Sequence, residues 1–216
     1  MDLPASENPL LIPDQPIAIG YKCSWFAVKD VDARELATIL GLRYVHDCNW
    51  KYGLAVATTD NVFISPPIKG WRLVVGSRLP FGDSDASREQ VVYLLRRISK
   101  AAGEAQFFAT HRVVEFHCWM KAQAGTIVRA YVYSGERLEV LQDVGMRTAG
   151  EPTDLPTAAS LALLEELEED EEMELNSPDE ETVMSVAAAW SIDPNAIAAN
   201  DELPALGIVG TAPSFN

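Results

Sequence analysis

The chain has 216 residues, enough for one large domain with a substantial core. Hydrophobic residues make up 48% and charged residues 23%, and no apolar run approaches the roughly 18 to 20 residues that span a bilayer, which excludes a membrane-spanning helix and wholesale disorder. A net charge of −15, from 17 Lys and Arg against 32 Asp and Glu, disfavours direct wrapping of a nucleic-acid backbone.

Residues 1–18 carry Pro4, Pro9, Pro13 and Pro16, which fix φ and remove donors, so an extended surface arm is expected. An α+β core over residues 19–150 follows. Cys23 to Lys29 reads as a strand, and Asp32 as the N-cap of a helix that presents Leu36, Ile39 and Leu40 on one face and closes at Gly41. Short β-rich runs at Leu54 to Ala57, Val62 to Ile64 and Trp71 to Val75 predict a three-strand meander, with Ser65 to Trp71 as a Pro- and Gly-containing turn. A second helix is predicted from Ser84 or Asp85 to Ala102, with Val91, Leu94, Leu95 and Ile98 on its inner stripe and Gly103 closing it.

Strands are then expected at Ala105 to Thr110, Val113 to Trp119, Thr126 to Tyr133 and Arg137 to Leu141. The fold class is α+β, antiparallel meanders with packed helices, in an order compatible with two α-βββ units in one domain. Residues 151–176 read as an acidic linker or helix. Ser177, Pro178 and Glu180 predict the start of a C-terminal helix within 177–200 that docks Val183, Val186, Ala187 and Trp190 on the body, ahead of an irregular tail over 201–216.

Charge is divided unevenly along this order. Residues 1–150 hold 17 basic side chains and 16 acidic ones, whereas residues 151–216 hold 16 acids and no Lys or Arg. The densest run is Glu165, Glu166, Glu168, Glu169, Asp170, Glu171, Glu172 and Glu174, with no base at i±4 to offset the repulsion. Such a run is either a solubilising surface or a lure for a cationic protein whose own cleft takes nucleic acid.

Chemistry-bearing residues are sparse. Read as one strand, His111 to Trp119 puts His111, Glu115 and His117 on one face, but about 20 Å separates the two histidines at roughly 3.3 Å per residue. Only Glu115 and His117 can act together, as a general base or half a metal site; no third ligand is placed, and no metal or cofactor is implied. His46, Asp47 and Cys48 are consecutive and share no face, which suits packing better than nucleophilic catalysis. The common hydrolase, zinc-protease, phosphate-loop and dinucleotide motifs are absent. The five tryptophans fall in or beside predicted core elements. Cys23, Cys48 and Cys118 form no CxxC pair, and an odd number of cysteines fits a reducing compartment. With no basic and apolar signal region among the first residues, a cytoplasmic location is expected.

The segments Phe63 to Gly76, Phe107 to Trp119 and Asp179 to Pro194 resemble blocks that recur in bacterial proteins with no established activity. The resemblance implies a bacterial cytoplasmic protein whose last helix belongs to the fold, and it carries over no catalytic residue. The expectation is a non-enzymatic acidic binding protein, such as an immunity protein or inhibitor that occludes a toxin's active site, bound to a basic protein rather than to nucleic acid or membrane. The alternatives are a hydrolase using Glu115 and His117, and a scaffold that self-associates through the Trp190 helix.

Overall fold

Strands that are apolar on both faces demand cover on both faces, and the computed structural model supplies it. Residues 8–20, 23–29, 31–165, 176–198 and 202–213 are described. Among them run β1 (Ser24–Lys29), α1 (Ala33–Ile39), β2 (Arg43–Cys48), α2 (Trp50–Ala57), β3 (Asn61–Ile64), β4 (Trp71–Val75) and α3 (Asp85–Ala102). The order continues through β5 (Glu104–His111), β6 (Phe116–Gln123), β7 (Thr126–Ser134), β8 (Glu139–Val144), α4 (Ala158–Glu165), α5 (Glu180–Trp190) and β9 (Gly207–Thr211). The protein is α+β: nine strands form one antiparallel sheet in the order β2-β9-β3-β4-β1-β5-β6-β7-β8.

Alternation sorts each strand between two cores. Phe26, Val28, Phe107, Cys118 and Val132 pack under α1 and α3, while Trp25, Phe108, Trp119, Tyr131 and Tyr133 pack under α2, α4 and α5. The long helix α3 follows its sequence signals: the Ser84 hydroxyl caps it, Val91, Leu94, Leu95 and Ile98 are buried, and Gly103 ends it at φ 80°. The Asp32 carboxylate accepts the Arg34 and Glu35 amides at the start of α1. The tight return expected between β3 and β4 is the Lys69-Gly70 turn, closed by mutual Ile68 and Trp71 backbone bonds of 2.7 and 2.9 Å.

Several elements differ from expectation. Leu54 to Ala57 is the last turn of α2 rather than a strand, because the Asn49 side chain caps the helix at Tyr52 and the Asp14 carboxylate takes the Trp50 and Lys51 amides. Those Asp14 contacts also hold the proline-rich arm, whose only regular structure among the described residues is a 3-10 turn at Pro9–Leu11. The polar edge strand β2 was not expected. The tail contributes β9 between β2 and β3, where Gly207 passes so close to Ile64 and Phe63 that a Cβ would lie 2.5 Å from the Ile64 carbonyl oxygen.

His111 to Trp119 is not one strand. A 3-10 turn at Arg112–Val114 and a left-handed Glu115 (φ 46°, ψ 43°) reverse the chain between β5 and β6. The cap of α5 is Asp179 rather than Ser177: its side chain takes the Thr182 amide and the Thr182 side chain returns a bond to the Asp179 amide. Its inner face is as predicted, with Val183, Val186, Ala187 and Trp190 buried. The acidic run from Glu166 to Glu174 lies outside the described residues, and Glu165 is the last residue of α4. Among the described residues no helix is long and apolar enough to cross a membrane.

Candidate functional site

The turn that breaks the predicted strand builds the site. In register across β5, β6 and β7, Thr110 stands opposite His117 and His117 opposite Tyr133, all on the face that α5 covers. Oγ1 of Thr110 lies 3.0 Å from Nδ1 of His117, and Oη of Tyr133 lies 2.9 Å from Oγ of Ser177, just ahead of α5. Between this floor and the first turn of α5 opens a cleft of about 490 Å³. Four carboxylates line it, those of Glu115, Asp179, Glu180 and Glu181, against the single basic side chain of Arg112.

The electrostatics follow from burial and capping. His117 is only 3% exposed, and burial pushes its pKa down to about 4 against the pull of Asp179, so its imidazole is neutral at pH 7. Burial alone would raise the Asp179 carboxyl, but the Thr182 amide and hydroxyl, with His117 nearby, hold it below its ordinary value. Acids at the start of α5 also complement the helix dipole, which accounts for part of the cluster without any ligand. Glu115 is different, because it sits in a turn rather than a helix start. Its left-handed backbone turns its side chain onto Gly135, where a Cβ would come within 2.6 Å of the Glu115 Cβ.

A buried network fixes the wall of the cleft. Arg129, fully buried on β7, binds Glu151 through Nε and Nη2 at 2.6 to 3.0 Å and also reaches Asp143 and the Ala130 and Val144 carbonyls. Glu151 in turn accepts the Trp119 indole at 3.1 Å and the Thr148 amide and hydroxyl. Thr148 accepts the Trp190 indole at 2.7 Å, and Gln106 donates to the Trp190 carbonyl, so the end of α5 is tied to the sheet. Burial would raise the Glu151 carboxyl, but the guanidinium and the Thr148 and Trp119 donors hold it below its usual range.

Both residues singled out on the predicted strand line the cleft, Glu115 from the turn and His117 from β6. His111 does not: the reversal sends it to the opposite face, edge-on to Phe81. Tyr133, Ser177 and the α5 acids were missed, although the helix-start signal at 177–180 already pointed to that stretch. The His46-Asp47-Cys48 trio is dispersed, with Asp47 bound to Arg34, His46 on the Tyr44 carbonyl and Cys48 buried. Burial pushes the thiols of Cys23 and Cys48 up to about 12, and that of Cys118 also up, so none is a thiolate nucleophile at pH 7. Among the described residues no three His, Cys, Asp or Glu side chains converge closely enough to hold a metal ion. No protein-family model, curated protein or solved structure matches the chain, so the functional argument rests on its own residues.

Proposed function

We propose that the chain is a non-enzymatic acidic binding protein that captures a basic protein and covers its active site, as an immunity protein does for a bacterial toxin. One observation carries the reading: the carboxylates of Glu115, Asp179, Glu180 and Glu181 face a single cleft, and that cleft is entered from the chain segment that directly follows the run Glu165 to Glu174. Run and cleft are therefore contiguous in sequence and alike in sign. Isolated exposed ion pairs are worth little, roughly 0 to 1 kcal/mol each. A dozen like charges act instead through their summed field, which speeds encounter with a cationic surface and disfavours anionic partners.

The fitting partner is an enzyme whose own cleft is cationic because it handles a phosphate backbone. The test is to titrate the intact chain into a panel of basic nuclease domains from secreted bacterial toxins and follow residual nuclease activity. Stoichiometric silencing of one member is expected, weakened steeply by added salt and by replacing the eight acids of residues 165–174 with their amides. Silencing that ignores both changes, or none across the panel, contradicts the reading.

The hydrolase alternative gains one observation, that Glu115 and His117 share the cleft with the hydroxyls of Tyr133 and Ser177. A histidine with a pKa near 4 that bonds a threonine rather than a carboxylate is a weak base for that work. As for the scaffold reading, Trp190 is buried against the body and bonded to Thr148, which leaves its ring little surface for a second copy.

A further inference from the structure

We infer that the cleft at the start of α5 is a receptor for one basic side chain of the partner, an alkylammonium or guanidinium group that sets its charge against Glu180 and Glu115 and donates an N–H to Nε2 of His117. The inference rests on the reading of the chain as a captor of basic proteins, and it names the chemical group captured at this site.

Two orphan atoms carry it, independently of the acidic surroundings. His117 is all but buried, its Nδ1 is occupied by Thr110, and its Nε2 has no hydrogen-bond partner among the described residues although the ring lines the cleft. Oε1 of Glu180 is withdrawn from solvent and also has no partner. Buried polar atoms are almost always hydrogen-bonded, and leaving one unpaired is costly, so two in one cleft call for a donor from outside. The remaining carboxylates are not equivalent to these. Asp179 is committed to Thr182, whereas Glu115 and Glu181 are exposed at the rim.

The sign of the ligand follows. Four carboxylates against one arginine repel an anion, even at a helix N-terminus whose dipole would otherwise attract one. A metal ion lacks a converging set of three donors among the described residues. A basic side chain needs no such convergence, because its N–H groups diverge to separate acceptors. The volume, about 490 Å³, lies within the usual range for small-ligand sites. For Nε2 to accept, the neutral ring must carry its proton on Nδ1 and donate it to Oγ1 of Thr110, a tautomer that nitrogen chemical shifts report directly.

The test uses the intact chain and three small probes, Nα-acetyl-arginine methylamide, Nα-acetyl-lysine methylamide and the neutral isostere Nα-acetyl-citrulline methylamide. Saturable shifts of the His117 ring nitrogens and the Glu180 amide are expected with at least one cationic probe and not with citrulline. The tighter cation identifies the partner's side chain. In E115Q/E180Q the response should need at least about tenfold more probe. Citrulline acting as well as the cations, or neither cation moving His117, overturns the inference, and both observations are made on the unmodified chain. If the probes fail while a basic nuclease is still silenced, the anchor assignment is wrong and capture stands; if the probes bind and no nuclease is silenced, the reverse holds.

Discussion

Replacing Glu151 with Gln tests what holds the acidic C-terminal third against the body. The Arg129 and Glu151 side chains are both fully buried, and four atoms of this pair exchange contacts at 2.6 to 3.0 Å. Gln keeps an oxygen for the Trp119 indole and the Thr148 hydroxyl but removes the charge. The guanidinium is left with Asp143, whose side chain is 35% exposed. Breaking one side of a buried ion pair costs about 3 to 5 kcal/mol, and retention of the neutral contacts places E151Q near about 3 kcal/mol. For a chain of this size that corresponds to roughly 6 to 12 °C in Tm. Urea unfolding followed by tryptophan fluorescence measures it. The acid limb gives a second readout with a defined sign. Because the folded Glu151 carboxyl lies below its ordinary value of 4.5, its contribution is present above that pH and is lost as pH falls through the depressed folded value. E151Q should flatten that slope. A loss below about 1 kcal/mol, with an unchanged acid slope, would refute the network as the tether.

Glu115→Gly should leave the fold equal or more stable by about 0.5 to 1 kcal/mol, since the left-handed turn favours glycine, while weakening cation binding; thermal melts and the probe titration together separate the two effects. Gly53→Ala places a Cβ within 2.7 Å of the buried Phe63 ring and should cost about 1 to 3 kcal/mol in urea unfolding. His117 should stay neutral down to about pH 4 in an NMR titration. Because that value lies below the ordinary 6.5, its contribution to stability is present above 6.5 and lost as pH falls toward 4, a slope that His117→Gln should reduce.

The parts of the fold legible in the sequence are those where local signals agree with packing. Asp32, Ser84 and Gly103 mark real helix ends, and the inner stripe of α3 follows its period. The failures are non-local. Leu54 to Ala57 is a short apolar run that reads equally as strand or helix, and the deciding cap comes from Asp14, 36 residues away in sequence from Trp50. β9 is five residues with two glycines, given strand form only by partners on either side. The reversal at Arg112–Glu115 was hidden because a glutamate, not a glycine or asparagine, occupies the left-handed position. The site was half visible for the same reason. Glu115 and His117 were recognised as neighbours on a strand that does not exist, and the turn that replaces it still delivers both to one cleft.

The most direct test of the account is a backbone amide NMR footprint of a synthetic arginine decamer on the intact chain at low salt. The account predicts shifts at Arg112 to His117 and Ser177 to Glu181 together with the acidic run, all reversed by added salt. Shifts confined to the run, with the cleft amides unmoved, would contradict the claim that run and cleft form one receiving surface.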